Sequence, residues 1–437
     1  MSSDPQPQPR PLPEKVLRRH TEMLADLLPE ITRLVQEDGV PADRILHRHL
    51  RSHRELGGRD RRFLSQAIFS YFRWFGWVVK RLQLPILDAA LLSAALDADE
   101  LSQSFLYLEK QCRLPQPIIP LGSRSLEEKT EILNSWFQKT LSSPLLLSDL
   151  VPPDFQKMLS SEKIGSSIFH FQHRPPTWLR LRSPSKKIEA TLQSADVPFS
   201  VHPNLPTALS VLGGTGLTNL LAPFSARFVI QDLSSQCVAL AANPQPGSDW
   251  WDVCAGAGGK SLHLADLMGE EAKLLSTDIR LPALKELKKR ARKYGIRGIR
   301  TQPHNAIHDE PFRKTFDGVL LDAPCSGWGT WARNPDARWR TSRREVIQSA
   351  QRQLKMLNNV VWCVKPGGVL VYAVCTFTRP ETEEVVMKFL EQNPNFTLEP
   401  FAHPLTGEPT SGQLQIWMDE GPCDAMFIAR FVRKENA

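Results

Sequence analysis

Two cysteines stand where two apolar runs end. Cys325 closes FDGVLLDAPCSG (316–327), and Cys375 closes GGVLVYAVCT (367–376). If both runs are strands of one α/β sheet, both thiols arrive at its carboxyl rim, where such sheets place their chemistry. Thiols delivered there suggest covalent catalysis. Asp322 precedes Cys325, and Pro324 stiffens the chain where the acid and the thiol are presented together. The other cysteines, 112, 237, 254, 363 and 423, are widely spread and form no C-x-x-C pair, so we expect reduced thiols, no disulfide framework and no metal site. Cys112, Cys237, Cys363 and Cys423 read as small buried hydrophobes.

Beside the thiols lies a glycine-rich turn. WWDVCAGAGGKSLHLADLMG (250–269) reads as strand, tight turn and helix, and Gly256, Gly258 and Gly259 let the backbone approach a ligand at the helix N-terminus. A phosphate-binding loop needs a glycine where this chain has Cys254, and the dinucleotide pattern needs one where it has Ser261. Asp278 ends the next strand, KLLSTD, where a carboxylate can accept ribose hydroxyls. An adenosine-containing ligand without a pyrophosphate meets both constraints. S-adenosylmethionine is the natural candidate, with Asp252 near its amino group and Cys254 lining the turn through its backbone; a purely structural turn or another nucleotide site is the alternative.

A thiol and a methyl donor together suit one reaction. C5 of cytosine or uracil is too weakly nucleophilic to take a methyl group directly. A thiolate adding at C6 makes the ring enamine-like, so that C5 can attack an electrophilic methyl. The adduct must then lose its C5 proton and expel the cysteine, which a second polar group such as Cys325 could assist. Lys260 and a helix N-terminus are placed to lower a thiol pKa.

The elements that must position these residues follow from periodicity. Residues 14–145 carry apolar residues at three- and four-residue spacing, an all-α pattern. Residues 150–230 shorten that period, with TWLRLR, PFSVH, ALSVL and ARFVIQD as strands of a small α+β domain. Beyond 232, strands at 250–254, 273–277, 299–302, 316–321 and 368–374 alternate with helices at 259–268, 281–294, 344–364 and 381–392, before a closing pair at 413–418 and 425–432. Such alternation predicts a mainly parallel, doubly wound α/β sheet. The expected divisions are a disordered Pro-rich tail (1–13), the helical domain (14–147), the α+β domain (148–231) and the catalytic domain (232–437).

Charge points to the substrate class. The net charge of +7 is concentrated: residues 43–81 hold ten Lys/Arg against three Asp/Glu, residues 285–300 eight against one, and residues 331–344 five against one. Aromatics are interleaved at Phe63, Phe69, Tyr71, Phe72, Trp74, Phe75 and Trp77, and at Trp331 and Trp339. Basic patches with stacking rings suit RNA with unpaired bases; any single patch reads better as a solvated face over core aromatics, and the three together point to nucleic acid. Trp328, Trp331, Arg333, Arg338 and Trp339 follow Cys325 and are candidates to line a flipped base; a loop packed around its tryptophans is the alternative. No apolar run approaches the ~18 residues of a membrane span, and no signal peptide is evident, so a cytoplasmic monomer acting on RNA, without membrane or metal, is expected.

At these residues the chain resembles the Sun/RsmB-like (NOL/NOP/Sun) family of S-adenosylmethionine-dependent RNA 5-methylcytosine methyltransferases. The resemblance runs through DLSSQ (232–236), DVCAGAGGK (252–260), TDIR (277–280), DAPCSGWGTWARNPDARW (322–339) and KPGGVLVYAVCTFTRPETEEVV (365–386). It implies a Rossmann-like class I methyltransferase domain, preceded by a small α+β domain and an all-α NusB-like domain. Cys375 is then the nucleophile and Cys325 the cysteine that resolves the adduct, with Asp322 and Lys260 beside them. The cofactor is implied to lie against Asp252, Cys254, Ala255, Gly256, Ala257, Gly258, Gly259, Lys260, Asp278, Asn305 and Asp322. Ribosomal RNA of the small subunit (16S) is the implied target, with tRNA as runner-up.

This chain departs from the family at several positions. The family's usual Ala-Pro before Gly-Gly-Lys is Gly256-Ala257, a frequent Asp is Asn305, the Thr before the nucleophile is Val374, and Glu-Asn-Glu is Glu381-Thr382-Glu383. A non-catalytic RNA-binding or assembly factor would not need Cys375, Cys325 and Asp322 intact. A small-molecule methyltransferase would act without RNA.

Overall fold

The computed structural model describes residues 11–159, 164–213, 216–310 and 312–435, so most of the expected tail lies outside the described residues. The chain divides into two compact units: residues 1–156, 171–173 and 334–341 form one, and residues 157–170, 174–333 and 342–437 the other.

The first unit is helical. It is built from α1 (Glu14–Glu37), α2 (Ala42–Ser52), α3 (Gly58–Phe75), α4 (Ile86–Asp97), α5 (Gln103–Glu109) and α6 (Leu126–Trp136), with a π-helical turn at Gly76–Arg81. Phe63, Tyr71, Phe72, Trp74, Phe75 and Trp77 are buried. For this patch the core-aromatic reading holds and the stacking one does not: α3 carries apolar residues around most of its circumference, as a central helix does, and the aromatics pack on each other.

The second unit holds two sheets. β1 (Thr177–Leu181), β2 (Phe199–His202), β3 (Leu205–Val211) and β4 (Phe228–Ile230) pair antiparallel in the order β2-β3-β1-β4. α7 (Ile164–Phe171) precedes this sheet, and α8 (Lys186–Ser194) and α9 (Leu217–Leu220) lie within its span of sequence. All four strands fall on the segments that the sequence marked.

α10 (Leu233–Ala242) leads into the larger sheet of β5 (Asp249–Asp252), β6 (Lys273–Asp278), β7 (Ile299–Pro303), β8 (Phe316–Asp322), β9 (Val364–Val374), β10 (Phe396–Leu398), β11 (Gln413–Ile416) and β12 (Met426–Arg433). Its order is β10-β12-β9-β8-β5-β6-β7, with β11 on β12. β5 to β9 are parallel and β12 runs antiparallel to β9, the doubly wound sheet expected. Intervening helices are α11 (Gly259–Met268), α12 (Leu281–Lys293), α13 (Ala337–Arg340), α14 (Arg343–Val360) and α15 (Glu383–Gln392).

Helices cover both faces, so the central strands β8 and β9 are largely apolar on both sides. Trp251, Val319, Leu321, Leu370, Tyr372 and Val374 share a core with α14 and α15, while Trp250, Leu320, Val371 and Ala373 share the other with α10 and α11. The period of two along each strand sorts the side chains between the cores. No helix among the described residues is long and apolar enough to cross a membrane.

One segment belongs elsewhere than its sequence position suggests. Residues 334–341, which contain α13, are part of the helical unit. There the fully buried Arg338 donates to the carbonyl oxygens of Leu150 (2.7 Å) and Phe171 (3.1 Å), and Trp339 Nε1 donates to Phe72 O at 2.8 Å.

Candidate active site

Register brings the two thiols together. Asp322 of β8 pairs with Ala373 of β9 in parallel, so Cys325, three residues on, and Cys375, two residues on, leave neighbouring strands at the same rim. Their sulfurs are 3.2 Å apart and both are half-buried, within reach of a ligand. The hydrogen bond to Cys375, followed by burial, pushes the Cys325 thiol well above its ordinary value. The two sulfurs thus share one hydrogen bond at the rim. The other cysteines are not disulfide-bonded either.

Gly329 fixes this geometry. Its N–H donates to Cys375 O at 3.0 Å and its carbonyl accepts from Ala425 N at 2.9 Å. A Cβ here would stand 2.2 Å from Ala425 O and 2.9 Å from Cys375 O, so only glycine lets the strands' ends close up.

The switch in strand order falls between β5 and β8, where open α/β sheets bind ligands. The glycine turn follows β5 at that point. Gly258 caps α11 at φ 87°, and a Cβ would meet Leu287 Cγ at 2.6 Å. Lys260 reaches back across the turn to Asp322, with Nζ 2.7 Å from the carboxylate. Burial opposes the Lys260 charge, but Asp322, with smaller contributions from Cys375 and Asp252, holds the ammonium above its ordinary value. Lys260 thus answers Asp322 first and Cys375 second.

The acids at the turn differ in their partners. Asp252 is fully buried; Ser261 Oγ donates to one oxygen at 2.6 Å, while Oδ1 has no hydrogen-bond partner among the described residues. Burial pushes its carboxyl up to about 7 despite the Ser261 bond. Asp278 accepts from Gly256 N (2.9 Å), Arg280 N (2.8 Å), Arg280 Nε (3.0 Å) and Arg280 Nη2 (3.0 Å). Burial works against its charge, yet these bonds hold its carboxyl below the ordinary value. The Arg280 side chain is 62% exposed, so the bonds nearest a ribose can be exchanged.

An adenosine ligand fits this donor and acceptor set. An unpartnered buried acceptor at Asp252 suits an ammonium, Asp278 suits a pair of hydroxyls, and the turn of Cys254, Ala255, Gly256, Ala257, Gly258 and Gly259 supplies close backbone. Asn305 is less free: its Oδ1 accepts Ile307 N at 3.0 Å in a local turn after β7. Among the described residues no cluster of three or more His, Cys, Asp or Glu is arranged for a metal ion.

The expected base-lining residues divide differently. Trp328, Trp331 and Arg338 are buried, with the two indoles packed at a tilt, their centroids 4.5 Å apart, so for these three the packed-loop reading holds and the base-lining one does not. Arg333 lies between Asp232 (2.7 Å) and Asp424 (3.2 Å), pinning the loop after Cys325 to the start of α10 and to the approach to β12.

Sequence reading missed the buried partners of the thiol loops. Glu381 accepts from Ser326, Thr378 and Gln353, and Gln353 lies by Tyr372. The signal was present: Gln353 occupies a core-facing place among Val346, Leu357 and Val360 on α14.

Comparison with known proteins points to RNA methyltransferases. Residues 239–432 match the family model for the 16S rRNA methyltransferase RsmB/F. The chain is 27% identical over 441 residues to a probable ribosomal RNA small subunit methyltransferase B from Synechocystis sp., covering 92% of this chain and 97% of that protein. It is 31% identical over 270 residues to a ribosomal RNA small subunit methyltransferase B from Klebsiella pneumoniae, covering 60% of this chain and 61% of the relative. The crystal structure of PH0851, 22% identical, shares the fold over 96% of this chain and 99% of its own, with a TM-score of 0.70. The C-terminal domain, residues 239–432, thus carries the RsmB/F methyltransferase signature, and the chain as a whole is similar to ribosomal RNA small subunit methyltransferases B.

Proposed function

We propose that this protein transfers a methyl group from S-adenosylmethionine to C5 of a cytosine in ribosomal RNA, 16S above all, through a transient bond between Cys375 and C6. The observation that carries the reading is the pair of half-buried sulfurs 3.2 Å apart on adjacent strand ends, beside the Lys260–Asp322 pair. Asp252, Asp278, Asp322 and the 254–260 turn would hold the cofactor, which when bound supplies an electrophilic methyl group.

The chain's own groups do the rest. The Cys375 thiolate bonds to C6, and the electrons of the C5–C6 double bond become available at C5 for the methyl. Cys325, as thiolate, takes the C5 proton, and the electrons of the C5–H bond re-form the C5–C6 double bond as the S–C6 bond breaks, which restores the ring and returns the Cys375 thiolate. Asp322 offers a carboxylate to the exocyclic amine that distinguishes cytosine from uracil.

The test is methylation of 16S rRNA purified from cells lacking the gene, followed by nucleoside analysis and bisulfite sequencing. One stoichiometric 5-methylcytosine is expected. Methyl transfer confined to tRNA, to another atom, to free cytidine, or absent from all cellular RNA would contradict the assignment, the last in favour of a binding or assembly factor.

A further inference from the structure

Glu381 takes no part in the scheme above, yet it is fully buried in the short helical turn Arg379–Glu381 that follows the Cys375 loop. It makes no ion pair among the described residues. A carboxylate buried without a counter-ion is costly unless its oxygens accept a full set of hydrogen bonds. Glu381 has that set: Oε1 accepts from Ser326 N at 2.8 Å and Gln353 Nε2 at 2.9 Å, and Oε2 accepts from Ser326 Oγ at 2.5 Å and Thr378 Oγ1 at 2.8 Å.

Those donors flank both thiols. Ser326 follows Cys325, and Thr378 lies three residues beyond Cys375. Gln353 also donates to Pro324 O at 3.0 Å, so the peptides on either side of Cys325 are tied to one Gln353–Glu381 pair. The Tyr372 hydroxyl, from β9 itself, lies 3.0 Å from Gln353 Oε1 and 2.6 Å from Glu381 O. Ser326 Oγ and Thr376 Oγ1, 3.2 Å apart, close the ring of contacts.

We propose that Glu381 is a positioning residue that holds Cys325 against Cys375, so that its loss slows release of the methylated base and leaves attack on the base intact. The inference rests on the assignment of Cys375 as nucleophile and Cys325 as resolving cysteine. Displacement of a reacting group by ~1 Å can cost on the order of 10²-fold in rate. Cys325 is the group that Glu381 can displace, because Ser326 gives it two bonds.

The experiment compares wild type, Cys325→Ala, Glu381→Ala, Glu381→Gln and the Glu381→Ala/Cys325→Ala double variant with S-adenosylmethionine and a 16S rRNA fragment. It reads turnover, the covalent protein–RNA band under denaturing conditions, and S-adenosylmethionine affinity. For Glu381→Ala we expect unchanged affinity, turnover lowered by roughly tenfold or more, and a stronger band that vanishes when Cys375 is also replaced. Glu381→Gln keeps an acceptor at Oε1, and the hydroxyls near Oε2 can turn to accept, so it should stay within about threefold of wild type. The double variant should be no slower than Cys325→Ala alone, because the two changes remove one function.

Turnover of Glu381→Ala within twofold of wild type, lost turnover without the band, or losses that multiply in the double variant would overturn the proposal. If Glu381→Ala fails to bind S-adenosylmethionine, Ser326→Ala decides: a strengthened band supports the role, and a wild-type band with wild-type turnover refutes it. A band absent from Cys325→Ala itself would instead refute the underlying mechanism.

Discussion

At the ends of β8 and β9, Ser326, Thr376 and Thr378 bond to one buried carboxylate or to each other, whereas at the ends of β5 and β6 one acid has an oxygen without a partner among the described residues and the other is held by a side chain that water reaches. The rim is one, but its two halves are built for different work. Reacting sulfurs gain from being fixed before the substrate arrives, since geometry set in advance lowers the barrier. A ligand site gains from contacts that can be exchanged. In the proposed reading a ribose would displace the exposed Arg280 from Asp278, and an ammonium would meet the open Oδ1 of Asp252.

Substitutions can break this contrast, the largest effects falling in the thiol half. Cys375→Ala should lower turnover on the order of 10⁴-fold or more, measured as methyl incorporation, with cofactor affinity unchanged. Cys325→Ala should cost about 10²- to 10⁴-fold and accumulate the covalent band, the opposite signature on a gel. If the two variants gave the same gel, the division of labour between the thiols would be wrong.

The cofactor half should respond in binding. Asp278→Ala removes the acceptor shared by Gly256 N and Arg280, and should weaken S-adenosylmethionine by about 10- to 100-fold in KM with kcat little changed. A fall in kcat at unchanged KM would place Asp278 with the chemistry instead. Arg280→Ala should have the smallest effect of the series and the opposite sign, tightening the cofactor by roughly threefold, because an exposed pair that competes for Asp278 is gone.

Asp252 sharpens the contrast through pH. Its folded pKa, pushed up to about 7, exceeds its unfolded value, so its contribution to stability is present below the unfolded pKa and is lost as pH rises through about 7. Urea unfolding of the wild type should therefore show a loss between pH 5 and 8 that Asp252→Asn lacks. Identical pH slopes would mean that the buried carboxyl is already ionised.

Particular residues show what the sequence could and could not disclose. Every strand from β5 to β9 was visible because its apolar run is bounded by polar or turn residues, and the thiols were placed by the same bounds. β10, three residues in Phe396–Leu398, is too short to show a period. Partners of Glu381 lie at 326, 353 and 378, and only the fold gathers them. The aromatics of α3 left two readings open because rings beside arginines read alike whether they face RNA or a core, and the core reading held. Arg338 misled for the converse reason: a charged residue is taken as exposed, and here backbone carbonyls within the helical unit solvate it.

The central claim is that sulfur 375 bonds to the base. Cys325→Ala incubated with S-adenosylmethionine and a 16S rRNA fragment, then digested with nuclease and protease and sequenced by mass spectrometry, tests it directly. The account predicts a nucleotide adduct on the peptide containing Cys375 and on no other; an adduct on a different residue, or methylated RNA with none at all, would contradict it.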